Sequence, residues 1–502
     1  MAWFQPGRCW RMRKARALWV PLALMLSGAA AVAGPDLGAA RAGLVAMADE
    51  RPEVLAQRLG EMRTVFGLDA PKRPAAGVAK MVPLAGTPQV SSLNLRVALA
   101  KLAIYAGANQ QLAVIAAQNG QTDAVILRAG SATLDQVVAM ADAAGAPGIL
   151  ADGNHVTLTR PLIVWEDAEL ILPDGAEVQM TSESGAFLLN FGRMRIGAAR
   201  IWASDPWVDA PDAFRPFVLT AGTGSMQVTG AQMHGLGSAD AGPYSGLSVV
   251  NGGLFRTQSA SSIRDTTIRD SGPVSLIRTS NSQVIGNRIL GSRGVGLFVA
   301  EAQSPVIADN RITGTRGLQA LRITANSTGA LVAGNLLAQG ANSGALIDRN
   351  SADLTFADNT IALNGAGAMR IQRGACIAIS GNLIVANGGP GIGLDRVVNA
   401  TLVDNIIAFN RAAGLSIAGQ EAGWQTDVTR NLIADNGERV RGATAGRLQM
   451  TGNRLEAQYP RLFSGDLGVH TVGYLTARQQ GGQDGYLIAP ADFAAQPECG
   501  GV

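Results

Sequence analysis

Between about residues 270 and 455, short apolar runs of alternating polarity recur at a nearly fixed interval. Asn287, Asn310, Asn335, Asn359, Asn382, Asn405, Asn431 and Asn453 punctuate them, at intervals of 23, 25, 24, 23, 23, 26 and 22 residues. Each asparagine follows Gly, Asp or Arg and has Ile or Leu two places later. A second apolar position aligns with the first: Leu276, Val299, Ile323, Ile347, Ile371, Leu394 and Ile417. A period of this size predicts a solenoid. Side chains alternate along a strand, so these residues and those two before them point inward. Each coil then supplies two or three short strands, pairing in parallel with the next coil about 4.8 Å away. The expected fold is all-β, a right-handed parallel β-helix of 22–26 residues per coil. Asparagine suits the turn because it tolerates the left-handed conformation and its amide can bond to the one stacked above. A leucine-rich repeat lacks its signature here, and a β-propeller needs blades of roughly 40 residues or more.

Outside the regular coils the pattern changes. Residues 149–270 read as short strands, such as His155–Leu158 and Glu169–Leu172, with the turn Pro173-Asp174-Gly175. The expected helix therefore spans 149–458. Residues 91–148 read as an α/β N-terminal cap with a strand at Leu112–Ala116 and a helix at Thr133–Ala144. Residues 34–90 read as a helix around Pro52–Met62 followed by a linker, and 459–502 as a C-terminal cap and tail. Residues 1–33 read as a signal peptide. Arg8, Arg11, Arg13, Lys14 and Arg16 precede the apolar stretch Leu18–Leu26, and Ala31-Val32-Ala33 offers a cleavage site. This places the mature protein in the periplasm, with no membrane span, since no later stretch reaches about 18 apolar residues.

Composition adds little to the fold and more to the chemistry. With Gly 62 of 502 residues and aromatics at 5%, tight turns and small packed side chains outweigh a conventional core. A formal charge of +3 gives no reason to expect nucleic acid or a membrane surface as partner. Lys occurs only at 14, 72, 80 and 101, so the later cations are arginines, which grip carboxylates in a two-pronged way; high genomic GC content gives the same bias. Once Cys9 leaves with the signal, Cys376 and Cys499 alone make no disulfide framework. No metal-ligand cluster is evident, and no cofactor is implied.

The residues flanking each inward anchor point outward. Down the stack they read Ser275/Ile277, Phe298/Ala300, Arg322/Thr324, Leu346/Asp348, Arg370/Gln372, Gly393/Asp395 and Ser416/Ala418. Arg349, Arg373 and Arg396 follow one position later as an arginine ladder. Arg322, Asp348, Arg349, Arg370, Gln372, Arg373, Asp395 and Arg396 are thus candidates to bind a chain of acidic sugars. The alternative is a solvated face whose charges pair along the stack for roughly 0.2–1 kcal/mol each. Asp348 and Asp395, two coils and hence roughly 9–10 Å apart, lie at the upper end of the spacing of an inverting glycosidase pair.

Several segments resemble the periplasmic mannuronan C5-epimerase family of alginate biosynthesis. They are Arg160–Leu172 (RPLIVWEDAELIL), Gly185–Asn190, Phe214–Leu219, Tyr244–Val249 and Leu346–Ser351. With the coil spacing, the resemblance covers about 120–455. It implies a right-handed β-helix and conversion of mannuronate to guluronate within a polymer. That family carries an Asp-Pro-His-Asp motif whose His is the catalytic base. Aligned coil by coil, the motif falls on Phe298-Val299-Ala300-Glu301, where only the acidic residue survives. The family's downstream catalytic Arg falls near Ala325, with Arg322 the nearest substitute. The chain's histidines are His155, His234 and His470, none in a regular coil, and His234 and Tyr244 read as structural. Each general acid or base contributes typically about 10²–10⁴-fold to such a reaction.

Three functions are consistent with the sequence. One is a divergent uronate epimerase or lyase with catalytic residues Glu301, Arg322 and Asp348. A second is an inactive relative that binds an acidic exopolysaccharide, in company with other periplasmic exopolysaccharide-biosynthesis proteins. The third is a hydrolase using Asp348 and Asp395.

Overall fold

The structure is a computed structural model that describes residues 36–499, apart from 72–76, 78–81, 83, 108–110, 206–213, 253–259, 445, 457–461, 480–484 and 490–498. The expected signal peptide lies outside the described residues. The chain winds into a parallel β-helix, as the asparagine period predicts. Each coil contributes three strands, for example Leu297–Ala300, Val306–Ala308 and Arg311–Thr313. Stacked, these make three faces. The first two belong to one sheet, joined through the long strand Leu162–Leu172, and the third is a separate sheet. The aligned anchors do stack, Leu276 on Val299, Ile323, Ile347, Ile371, Leu394 and Ile417 in unbroken parallel register. All are at most 1% exposed, in one continuous core.

The asparagines stand between the second and third strands, buried, in one bonded column. Asn287 Nδ2 donates to Asn310 Oδ1 at 2.9 Å, and the same bond repeats through Asn335, Asn359, Asn382, Asn405, Asn431 and Asn453. Each Oδ1 also accepts the backbone N–H of the asparagine before it, as Asn382 does from Asn359 at 2.8 Å. The left-handed turn belongs to the residue before each asparagine, correcting the expectation that asparagine adopts it. Gly286, Asp309, Gly334, Asp358, Gly381, Asp404, Arg430 and Gly452 have φ of 72, 54, 65, 56, 62, 55, 54 and 62°. That turn is what swings the following asparagine into the core, where its amide meets the next one. A second column, Asn364, Asn387, Asn410 and Asn436, runs five residues later with the same 2.9 Å amide bonds.

Helices cover the solenoid in two places where strands are apolar on both faces. On the third face, Leu336, Ala338, Leu383, Val385, Ile406 and Leu432 point outward. They are buried by two N-terminal helices, α1 (Leu37–Ala46) and α2 (Pro52–Val65), through Leu44, Leu55 and Leu59. Arg63 of α2, 3% exposed, donates to the carbonyls of Asn359 at 3.2 Å and Gly381 at 3.1 Å. On the first face, α3 (Leu95–Ala106) and α4 (Gln111–Ala116) bury the outward residues Ile163, Leu189, Leu219, Val250, Ile277 and Ala300. The expected strand at Leu112–Ala116 is therefore helix α4. A five-residue apolar run fits either period, and packing on an already complete sheet face selects helix. A fifth helix, α5 (Leu134–Ala143), starts at a Thr133 capping box and closes the N-terminal end of the core with Leu134 and Val137. At the other end a 3-10 turn (Gly465–His470) and α6 (Thr471–Gln479) insert Leu467 and Tyr474.

Cys376 and Cys499 form a disulfide, Cα–Cα 5.4 Å, across 123 residues of sequence. Two cysteines make no framework, and they form this single bridge. Their distance in the chain hid a proximity that only the coiling creates. No helix among the described residues is long and apolar enough to cross a membrane.

Asn382→Ala is expected to leave two buried donors of Asn359 without an acceptor. At about 1–3 kcal/mol per orphaned group, the loss should be about 3 kcal/mol, read as a lowered denaturant midpoint.

Candidate functional site

Beyond the coil of Phe298, the outward row of the first face emerges from under α3. It runs Arg322, Leu346, Arg370, Gly393, Ser416 and Arg441, each in register with the next. This row floors a groove along the stacking axis. One wall is the corner at the end of each strand, carrying Glu301, Ala325, Arg349, Arg373 and Arg396 at φ of 52, 55, 53, 52 and 54°. Left-handed backbone costs a non-glycine residue about 1–2 kcal/mol. It persists because the corner amides continue the ladder, Arg373 N–H to Asp395 O at 2.9 Å and Arg396 N–H to Ala418 O at 3.0 Å. The arginine side chains are thereby exposed along one edge, one coil rise apart.

The opposite wall is built from the turns entering the strands, Gly365-Ala366-Gly367 and Gly388-Gly389-Pro390, with Asn342 and Ser343 above them. Stacked turns come too close for side chains here. A Cβ on Gly388 would lie 2.2 Å from the Gly365 carbonyl. Gly393 on the floor differs, since its Cβ would meet nothing nearer than Met369 O at 3.8 Å. The missing side chain there leaves room between Arg370 and Ser416. These turns, with Arg370, Gly393, Asp395 and Ser416, line a cavity of about 680 Å3, and the corner arginines stand outside that lining.

The charges divide into engaged and free. Arg322 Nη2 bonds Asp348 Oδ2 at 2.7 Å, with side chains 23% and 10% exposed. Arg278 lies 3.7 Å from Glu301, and Arg396 lies 3.4 Å from Asp395. Gln372, with its amide oxygen turned to Arg370, accepts from Nε at 3.1 Å and Nη2 at 2.7 Å. Among the described residues no carboxylate pairs with Arg349, Arg370, Arg373 or Arg441, and all four are exposed.

The candidate catalytic and binding residues thus lie on this face, but in three groups. Arg322 and Asp348 form a closed pair. Arg370, Gln372, Asp395 and Arg396 cluster beside the groove, with Arg349 and Arg373 along its edge. Glu301 stands apart at the covered end, held by Arg278. Sequence reasoning missed Asn342, Ser343 and Arg441. The run Gly388-Gly389-Pro390, aligned with Gly365-Ala366-Gly367 one coil earlier, was the signal for the wall.

Phe298-Val299-Ala300 offers no acid or base. Phe298 is half-buried, Val299 is in the core and Ala300 is 6% exposed. The histidines lie elsewhere. His155 contacts Thr157 and Gln179, His470 contacts the Tyr486 hydroxyl, and His234 sits on the third face, 3.9 Å from Asp270. The His234 side chain is 61% exposed. Tyr244 is packed edge-on against Phe217 at 5.4 Å, and burial pushes its phenol up. No group of three or more His, Cys, Asp or Glu among the described residues could hold a metal.

The fold and the three-strand coils define a right-handed β-helix. The family described as "Right handed beta helix region" matches residues 243–361 and 319–456. The periplasmic alginate epimerase AlgG has a similar solved structure, with TM-score 0.67 and 19% identity over 75% of this chain and 96% of that one. The A-module of Azotobacter vinelandii mannuronan C-5 epimerase AlgE6 is more distant, with TM-score 0.34 and 11% identity over 65% of this chain and 92% of that one. The Dettilon tailspike protein gp208 has TM-score 0.36 and 16% identity over 65% and 63%. No curated protein matches this chain in sequence.

Arg322→Ala and Arg370→Ala are expected to separate by stability. The first leaves the nearly buried Asp348 carboxylate unpaired and costs about 2 kcal/mol. The second alters an exposed side chain and stays within about 0.5 kcal/mol of the parent. Thermal unfolding of both variants checks the contrast.

Proposed function

We propose that this protein binds an acidic, uronate-bearing polysaccharide along the groove as an exported carrier or protector, and does not epimerise it. The observation that carries this reading is the set of exposed, carboxylate-free arginines Arg349, Arg370, Arg373 and Arg441 beside an open groove. A sugar in an extended chain advances about as far as one coil, so successive carboxylates can meet successive arginines. Each such contact is a charge-assisted bond with two donors. The similarity of fold to a periplasmic alginate epimerase supports both the ligand class and an exported location.

The chemistry argues against epimerisation. That reaction needs a base for the proton alpha to the carboxylate and an acid on the opposite face. Glu301, Asp348 and Asp395 are each engaged by an arginine, and no imidazole reaches the groove. Glu301, Arg322 and Asp348 are therefore assigned to shaping and charge balance. Asp348 and Asp395 are likewise tied to separate arginines, which gives a hydrolase no free pair.

Arg370→Ala combined with Arg373→Ala is expected to weaken binding of polymannuronate at least about tenfold, roughly 1.4 kcal/mol, with a flatter salt dependence. Gly393→Phe should block the groove and abolish binding with unfolding unchanged. Polymannuronate incubated with the protein in deuterated water should gain no deuterium at C5. Deuterium incorporation, or unchanged affinity in all the variants, would refute the reading.

A further inference from the structure

The outward row of the first face changes from sealed to open within a few coils. Leu219, Ser248 and Ser275 are 0% exposed. Phe298 is half-buried, Arg322 is 23% exposed at its side chain, and Arg370 is exposed. Two structures do the sealing. Helix α3 lays Leu95, Leu99 and Leu102 over the row, in one cluster with Leu219, Val250 and Ile277. The turn at 242–245 folds in from the other side, and the Ser245 hydroxyl lies 2.7 Å from those of Ser248 and Ser275. The corner is braced as well. Arg278 donates to the Asn251 carbonyl at 2.8 Å and to that of Tyr105 in the last turn of α3, and it holds Glu301.

From this geometry we infer that the groove is blind at the Phe298 coil and receives the terminus of the acidic chain, not its interior. The inference rests on the functional reading above and adds a direction to it. A chain lying on Arg370 and continuing past Arg322 meets Phe298 and then a packed helix. Passing further would mean lifting α3 and exposing Leu219, Val250 and Ile277, each buried aliphatic side chain being worth roughly 1.5–3 kcal/mol. Toward higher residue numbers the row stays accessible, through Gly393 and Ser416 to the exposed Arg441. The last ring therefore packs on Phe298, with Arg322 one coil on. Glu301 stands at the same level as Phe298. A terminal ring has a free hydroxyl where an internal ring has its next glycosidic bond, and Glu301 is the acceptor placed to take that hydroxyl. The bound polymer leaves the protein in one direction only.

Stoichiometry distinguishes the possibilities. The full-length exported protein is titrated calorimetrically with polymannuronate of two lengths, one short and one many times longer. Terminus binding predicts one protein per chain at both lengths, and loss of binding when both chain ends carry a bulky dye. A number of proteins per chain that grows with length, or undiminished binding of the doubly capped chain, would overturn the inference and leave the acidic-polymer reading intact. No binding at either length would overturn both.

Discussion

From Asn287 to Asn453, each coil is held in register by a buried asparagine amide whose partner is the amide of the neighbouring coil. An orphaned buried amide costs about 1–3 kcal/mol, and a shift of one residue would send every inward side chain out. The column from Asn287 to Asn453 therefore fixes which residue stands above which. Everything on the outer faces inherits that register: the in-line row Arg322, Leu346, Arg370, Gly393, Ser416, Arg441, and the parallel edge of corner arginines. A groove with charges at coil spacing is a consequence of the amide stack, not of any contact within the groove.

The second constraint is cover. A strand in this solenoid has one inward face, so any coil apolar on both faces must be capped from outside. The early coils are apolar outward on the first face and recruit α3 and α4. The later coils are apolar outward on the third face and recruit α1 and α2. The groove is what remains of the first face once α3 ends, and its blind end follows from where that helix stops. The same packing explains why the half-buried Arg322 closes on Asp348 whereas Arg370, farther from the cover, stays available.

Much of this was legible in the chain. The period, the inward anchors and the charged row could be read off one another because parallel stacking turns sequence spacing into spatial columns. The second asparagine column was equally visible, five residues after Asn359, Asn382, Asn405 and Asn431, as were the covers. Leu336-Leu337-Ala338 and Ile406-Ile407-Ala408 lack the polar outer position of Arg288-Ile289 or Arg311-Ile312, and a strand apolar at every position is one buried on both sides. What could not be read is what coiling alone brings together. The Cys376–Cys499 bridge spans 123 residues. The pairing of Arg322 with Asp348, against the freedom of Arg370, depends on side-chain direction and cover. Nor does a five-residue apolar run such as Leu112–Ala116 carry enough length to separate helix from strand.

On the proposed reading, carboxylates on the ligand, met by arginines that no protein carboxylate neutralises, hold the chain in the groove. This is tested most directly by comparing the affinity of polymannuronate with that of the same polymer after chemical reduction of its carboxyl groups to alcohols. The backbone, linkage and length are then unchanged, and only the charge is removed. Strong binding of the acidic polymer is expected, and none detectable for the reduced one. Equal affinity for both would contradict it.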